Sequence, residues 1–142
     1  MNATLSNNQK ASYQNQNLRI TGHSIPYLND LPKVKYESEK NVLFLKGNST
    51  GDLINEFYEG VIESIQNHFK DSDKLSLYLY INELNTPSLK CFFYIFKVLK
   101  KEESKGKKAK VTWFFDLNNQ SMMDSAFDFS DLFNLQVTIV AV

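Results

Sequence analysis

The chain has 142 residues, a length that fits one domain around a single core. Its 16 basic and 16 acidic side chains cancel, so the net charge predicts neither a nucleic-acid-binding protein nor one attracted to an acidic membrane surface. The longest apolar run is far shorter than the ~20 residues of a membrane helix, and the first residues do not form a signal peptide. We therefore expect a cytoplasmic protein. Its one cysteine, Cys91, has no partner for an internal disulfide, and we expect a buried, inert thiol.

The first part of the chain is polar and then changes to strand-like segments. Residues 1–17 are rich in Asn, Gln and Ser. Such a composition buries little apolar surface, so it predicts a flexible arm in front of a domain formed by residues 18–142. Three short segments then have a strand-forming composition bounded by turn residues. They are LRITGHS (18–24), KVKYE (33–37) and NVLFLKG (41–47).

From residue 50 the pattern alternates between helix and strand. Residues 50–69 carry apolar side chains at every third or fourth position, which predicts a helix with one apolar face. Residues 74–82 alternate strictly between the two sides of a strand. A second helix follows and ends near Gly106; then come a strand (109–116), a third helix (120–133) and a closing strand (135–142). The buried stripe that we expect on the second helix consists of Leu89, Phe92, Phe93, Phe96 and Leu99.

Strands that are separated by helices mostly run parallel, with right-handed crossovers that place the helices against the sheet. The sequence therefore predicts an α/β domain with a mixed sheet of four to five strands and about three helices packed mainly on one face. The opposite face would carry Tyr78, Tyr80 and Phe114. Either the early strands and the N-terminal arm cover these aromatic side chains, or they form a contact surface for another protein or a second copy of the chain.

The tetrapeptide Asn85-Thr86-Pro87-Ser88 stands between a strand and the second helix. Threonine followed by proline predicts a helix start, with the Thr86 hydroxyl as the N-cap and Pro87 at the first helical position. The same hydroxyl would lie at the carboxyl end of a parallel strand, where open α/β folds present their sites. A phosphate on it would add roughly −1.5 to −2 charges near a helix N-terminus, which favours negative charge. Thr86 is thus either a cap alone or a cap that also accepts phosphate.

Four segments, in their order along the chain, resemble the SiaC family of bacterial regulatory phosphoproteins. These proteins are distant structural relatives of the anti-sigma-factor antagonists with the STAS-type fold. The segments are ITGHSIPYLNDLPKVKYESEKNVLFLKGNS (20–49), FYEGVIESI (57–65), LNTPSLK (84–90) and KVTWFFDLNNQSMM (110–123). The resemblance runs from about residue 18 to the C-terminus, and it depends on the order of the segments rather than on any one of them.

The resemblance implies a phosphorylation site. In the family, the threonine of an Asn-Thr-Ser-Ser motif is phosphorylated, and it matches Thr86. Ser88 also matches the motif and is the nearest alternative acceptor. The residues that we expect to contact partners are Asn85, Pro87 and Lys90. The chain departs from the pattern where Pro87 and Leu89 replace serines, and where the acidic run after the tryptophan strand is reduced to DLNNQ (116–120). These departures affect the expected partner surface more than the acceptor.

The resemblance also implies partners. Members of the family are phosphorylated by a dedicated protein kinase of the anti-sigma-kinase type and dephosphorylated by a PP2C-type phosphatase. The unmodified form binds an effector, in some members a diguanylate cyclase, in the control of biofilm formation or aggregation. The expected function is therefore a non-catalytic signalling switch without cofactor or metal. The alternative is an interaction or homodimerisation module that uses the aromatic sheet face, with Thr86 only as a helix cap.

Other classes of function have little support in the sequence. His23 and His68 lie far apart, and neither zinc-ligand spacing, a glycine-rich phosphate loop nor a Ser/His/Asp order is present. Acidic residues around the third helix are explained as solvated charges and caps; they are Asp116, Asp124, Asp128 and Asp131. The lysines of residues 100–110 suit a helix C-terminus and a solvated loop, so we expect neither an enzyme nor a nucleic-acid-binding protein.

Overall fold

Strands and helices alternate along residues 30–142, the part of the chain that the computed structural model describes. The strands are β1 (Lys33–Glu37), β2 (Val42–Ser49), β3 (Lys74–Leu84), β4 (Lys108–Phe115) and β5 (Gln136–Ala141). The α-helices are α1 (Ile54–Asp71), α2 (Thr86–Ser104) and α3 (Gln120–Phe133), and a 3-10 turn (Ser38–Lys40) joins β1 to β2. The predicted arm (1–17) and the predicted strand at 18–24 lie outside the described residues. Among the described helices, none has an apolar stretch suited to spanning a bilayer.

The strands form one sheet in the order β1-β2-β3-β4-β5. β1 and β2 pair antiparallel because a short turn joins them; the turn ends at Asn41 in the left-handed conformation (φ 58°). Every other neighbouring pair is parallel, since a helix separates the two strands along the chain. The prediction of a mixed sheet with helices in its crossovers is therefore confirmed.

The hydrophobic core lies on one face of the sheet, where the three α-helices contribute to it. The side chains of β3 on this face are each at most 2% exposed, as their strict alternation predicted; they are Leu75, Leu77, Leu79 and Ile81. An aromatic cluster fills the space between β4, α2 and α3. Trp113 lies at its centre, with ring centroids 5.5 Å from Phe92, 6.1 Å from Phe96 and 5.9 Å from Phe129.

Helix α2 buries Phe92, Phe96 and Leu99 as predicted, but its buried face is rotated away from the rest of the predicted stripe. Its buried residues are Ser88, Cys91, Phe92, Ile95, Phe96 and Leu99. Leu89 and Phe93 are 37% and 38% exposed, so their assignment to the buried stripe is wrong. Apolar residues surround most of this helix, and the polar Ser88 made the face that is actually buried look less suitable. The predicted burial of Cys91 is confirmed, and this burial raises the pKa of its thiol.

The opposite face of the sheet carries a row of half-buried aromatic side chains. Tyr78 stacks on Phe44 of β2 at a centroid distance of 6.0 Å and on Phe114 of β4 at 6.4 Å. Tyr80 lies beside Phe114 at 6.2 Å, and its ring has the Lys46 ammonium 5.4 Å from the centroid. The use of this face as an interface stays a prediction.

His68, near the end of α1, is a buried polar side chain at 6% exposure. Its Nε2–H donates to the carbonyl of Lys74 at 2.8 Å, and its Nδ1 accepts from the Tyr36 hydroxyl at 2.6 Å. Burial raises the pKa of Tyr36 to about 12, so that hydroxyl remains a donor. Burial also lowers the pKa of His68; the bond to the Lys74 carbonyl and the charge of Asp71 oppose this effect, and Lys107 adds to it. The fold therefore favours the neutral imidazole, in which Nδ1 carries no proton and can accept from Tyr36.

Acidification is expected to destabilise the fold through His68. Its pKa in the unfolded chain is about 6.5, and its pKa in the folded protein is lower. Between the two values the unfolded chain binds more protons, so the free energy of unfolding falls as the pH decreases through that window. Urea denaturation at about pH 7.5 and about pH 5.5 should show a larger loss in the wild type than in His68→Gln, which has no titrating side chain at this position. Equal losses in the two proteins would contradict this assignment.

Candidate functional site

The connection from β3 to α2 begins with an irregularity in the sheet. Gly47 of β2 pairs with Ile81 of β3, and Ser49 pairs with Leu84, so two steps along β2 correspond to three along β3. Such a bulge bends a strand and redirects the residues that follow it, and bulges are frequent next to functional sites. Here it ends β3 immediately before Asn85, at the carboxyl edge of the parallel strands.

Asn85, not Thr86, is the N-cap of α2. Its side-chain Oδ1 accepts a hydrogen bond from the Ser88 N–H at 2.9 Å, and its own N–H donates to the Ser49 carbonyl at 3.2 Å. The helix begins at Thr86, and Pro87 follows within the first turn. The prediction that the Thr86 hydroxyl caps the helix is therefore wrong. Asn and Thr both suit an N-cap, and the bond to Ser49 fixes Asn85 in the extended conformation that a cap requires.

Thr86 is exposed at the first residue of α2. Asn85 is the cap, and the Thr86 hydroxyl takes part in no hydrogen bond within residues 30–142. The residue is therefore open to a protein that approaches this edge of the sheet. The requirement that a phosphoacceptor be accessible is met at this position.

Ser88 lies two residues further on and is fully buried. Its hydroxyl donates to the Ser49 carbonyl at 2.6 Å and accepts from the Ser49 hydroxyl at 2.7 Å. The hydroxyl of Tyr58, a residue of α1, forms a hydrogen bond with the Ser49 hydroxyl, also at 2.7 Å. A side chain with this burial and these bonds is closed to another protein, which counts against Ser88 as the alternative acceptor.

A cleft of about 390 Å³ opens beside Thr86, between α2 and α3. Its lining residues are Thr86, Leu89, Lys90, Phe93, Asp128, Phe129 and Leu132. The two α2 residues that were wrongly predicted as core, Leu89 and Phe93, thus supply apolar surface to this cleft. Leu132 on the α3 side is 63% exposed. Accessible apolar surface next to an accessible hydroxyl is suited to contact with another protein.

The remaining predicted residues lie in two places. Lys90 is exposed on the wall of the cleft, one helical turn from Thr86. Tyr80 lies on the aromatic sheet face, where its hydroxyl donates to Asp116 Oδ1 at 2.5 Å; this bond raises the pKa of Tyr80. The structure therefore brings Asn85, Thr86, Pro87 and Lys90 together and keeps Tyr78, Tyr80 and Phe114 on the other side of the sheet.

Ser49 and Tyr58 also belong to this site, although their sequence context did not predict it. Ser49 had the appearance of a turn residue after a strand, and Tyr58 that of one more apolar side chain in the repeat of α1. The available signals were the GNS turn (47–49) and the FY pair (57–58), each within a segment that resembles the family. Ser49 and Ser88 are 39 residues apart in the chain, and neither residue indicates the other.

Comparisons with known proteins agree on the family and the fold. The family model described as SiaC family regulatory phosphoprotein matches residues 25–142 of the chain. Among curated protein sequences, none matches it.

Similar solved structures come from Pseudomonas aeruginosa. The crystal structure of apo-SiaC has a TM-score of 0.73 and 21% identity, over 86% of this chain and 100% of that one. A second structure of SiaC has a TM-score of 0.74 and 22% identity, over 87% and 100%. The crystal structure of the diguanylate cyclase SiaD in complex with its activator SiaC contains a chain with a TM-score of 0.75 and 22% identity, over 85% and 100%. At such identities the likeness shows a shared fold.

Two neighbouring alanine substitutions should separate the cap from the exposed hydroxyl. Asn85→Ala is expected to lower the free energy of unfolding by about 1 kcal/mol, because the Ser88 N–H loses its acceptor. Thr86→Ala is expected to change it by less than about 0.5 kcal/mol, since the hydroxyl supports no contact of the fold. The midpoints of urea denaturation measure both effects. A loss in Thr86→Ala as large as that in Asn85→Ala would show that Thr86 shares the capping role.

Proposed function

Because the chain belongs to the SiaC family of regulatory phosphoproteins, we propose that it is a signalling switch with no catalytic activity of its own, controlled by reversible phosphorylation of Thr86. A protein kinase of the anti-sigma-kinase type transfers the γ-phosphoryl group of ATP to the Thr86 hydroxyl oxygen, and the products are ADP and a proton. A PP2C-type phosphatase hydrolyses the ester and restores threonine and free phosphate. This assignment places the protein in the cytoplasm, where ATP supplies the kinase.

The exposure of Thr86 at the start of α2 is the observation that carries this proposal. Ser88 is fully buried, so the two hydroxyls of the tetrapeptide differ completely in access. Asn85 caps the helix, so esterification of Thr86 removes no hydrogen bond from the fold. The modification changes the surface and leaves the interior as it was.

A phosphate on Thr86 would find few free donors at the helix head. Asn85 already accepts from the N–H groups of Ser88 and Leu89, through its side chain and its carbonyl respectively. Pro87 has no N–H. Lys90, one turn further along α2, is the basic side chain of the cleft lining that can pair with the phosphate. Much of the added charge therefore stays at the mouth of an apolar cleft, where it opposes the docking of an apolar partner.

A protein effector is the partner that this arrangement suits. In Pseudomonas aeruginosa, SiaC is the activator of the diguanylate cyclase SiaD and forms a complex with it. By analogy, we assign the effector of this chain to the diguanylate cyclases, bound by the unmodified form. Leu89, Phe93 and Leu132 supply the apolar centre of the docking surface, and Lys90 and Asp128 supply charges in its lining.

The second candidate function is an interaction or homodimerisation module on the aromatic sheet face. The stacking of Tyr78 between Phe44 and Phe114 favours it, because this row is only half-buried in spite of its apolar character. Its other premise, that Thr86 acts only as a helix cap, is wrong because Asn85 is the cap. The switch at Thr86 is therefore the better supported of the two.

Incubation of the protein with ATP and a cell extract of its source organism is expected to add a single phosphate at Thr86. Thr86→Val keeps the branched shape of the side chain but has no hydroxyl, and it should remain unmodified. Thr138→Val removes another exposed threonine hydroxyl, on β5, and should be modified like the wild type. Peptide mass spectrometry locates the phosphate. Phosphate found at some other residue in all three proteins would refute the assignment.

The cleft should be necessary for binding of a diguanylate cyclase from the same organism. Phe93→Ser removes a partly exposed ring from the cleft and is expected to weaken binding by about 2 kcal/mol, or roughly 30-fold in Kd. Leu117→Ser is the control, because Leu117 is 77% exposed and does not line the cleft. Calorimetric titration measures both affinities. If Phe93→Ser binds as tightly as Leu117→Ser, the effector docks elsewhere.

A further inference from the structure

We infer that three buried hydroxyls, those of Tyr58, Ser49 and Ser88, hold the head of α2 in the conformation that presents Thr86 to its kinase. They are positioning residues for the phosphorylation, since none of them exchanges a group with ATP. The inference rests on the proposed function, because it takes Thr86 as the acceptor. It adds to that function the hydrogen bonds that keep Thr86 in place. It also explains why the Ser88 hydroxyl of the same tetrapeptide is not used.

The hydrogen bonds of the three hydroxyls have a defined direction. Ser88 Oγ donates its proton to the Ser49 carbonyl at 2.6 Å, and Ser49 Oγ donates its proton to Ser88 Oγ at 2.7 Å. Each hydroxyl has one proton, so the Tyr58 hydroxyl must be the donor to Ser49 Oγ at 2.7 Å. All three residues are 0% exposed, and burial raises the pKa of Tyr58, which keeps it a donor. No proton in this chain of bonds is left without an acceptor.

These bonds join three elements at one point: Tyr58 belongs to α1, Ser49 ends β2 and Ser88 lies in the first turn of α2. The Ser49 carbonyl also accepts from the Asn85 N–H at 3.2 Å. The residues on both sides of the Thr86-Pro87 pair are therefore attached to the end of β2. Between the two attachments, proline restricts the backbone further. Thr86 consequently has little freedom to move, although its side chain is exposed.

A fixed acceptor favours phosphoryl transfer for a geometric reason. The hydroxyl oxygen must approach the γ-phosphorus in line with the leaving oxygen, and a displacement of about 1 Å can lower the rate on the order of 100-fold. A loose helix head would have to be ordered each time the kinase binds. The same bonds occupy the Ser88 hydroxyl on both its donor and its acceptor side. The network thus positions one hydroxyl of the tetrapeptide and withdraws the other.

Competition between two substrates in one reaction tests the inference. Wild type and variant are mixed with ATP and a limiting amount of the cell extract that phosphorylates the wild type. Mass spectrometry distinguishes the two phosphorylated proteins by mass, and the ratio of their amounts gives the ratio of their kcat/KM values. Ser88→Ala is expected to lower kcat/KM at least tenfold, and Tyr58→Phe by a smaller factor because the Ser49–Ser88 bonds remain. Ile95→Val is the control: it alters another buried residue of α2, 1% exposed, that has no part in the network.

Hydrogen exchange supplies a readout at the helix head itself. The Leu89 amide, which bonds to the Asn85 carbonyl, should exchange faster in Ser88→Ala and Tyr58→Phe but not in Ile95→Val. If Ser88→Ala does not fold, Tyr58→Phe, which removes one oxygen, carries the test. Phosphorylation of the network variants at the wild-type rate, or equal slowing of Ile95→Val, would overturn the inference and leave Thr86 as the acceptor. A wild type that acquires phosphate only at other residues would overturn the proposed function as well.

Discussion

The carbonyl oxygen of Ser49 accepts two hydrogen bonds from the head of α2, one from the Asn85 N–H and one from the Ser88 hydroxyl. Both donors lie in the loop and first turn that follow the bulge of β3, so this oxygen fixes the start of the helix with the same face inward that buries Phe92, Phe96 and Leu99. A polar Ser88 can face the core because its hydroxyl is satisfied there. Leu89 and Phe93 are then turned outward, although their apolar character alone would favour burial. The cleft beside Thr86 is a consequence of that orientation.

At the helix head, the structural contacts and the proposed phosphoacceptor belong to different, neighbouring residues. Asn85 supplies the cap, Ser88 supplies the attachment to the interior, and Thr86 has neither duty. A residue that both capped a helix and accepted phosphate would lose its capping bond on modification, and part of the stability would change with the signal. In the proposed switch, the charge at Thr86 changes while α2 remains in place, so that a partner meets a different surface on the same fold.

The two faces of the sheet carry different kinds of side chain. The helical face holds the core, and its edge carries Thr86 and the cleft, so the proposed charge change and the proposed docking surface lie together. The charge acts on that surface at short range, where screening by salt is weakest. The other face carries the aromatic row around Tyr78. Because Tyr80 is bonded to Asp116 and has Lys46 over its ring, this row has polar contacts of its own at the same sheet edge.

The sequence by itself determined the order of the elements, the mixed sheet and the buried side of β3, because side-chain periodicity depends on local backbone geometry. It also located the start of α2 to within one residue, with the threonine exposed there, since Asn, Thr and Pro have strong local preferences at a helix head. Tertiary contacts alone decided which face of α2 is buried, which of two suitable residues caps it, and that Ser88 is withdrawn from the surface. Those outcomes involve bonds to Ser49 from the Asn85 N–H and from the hydroxyl of Ser88, which lies 39 residues away from Ser49 in the chain. Local pattern carries no information about a hydrogen bond whose partner is brought close only when β2, α1 and α2 pack together.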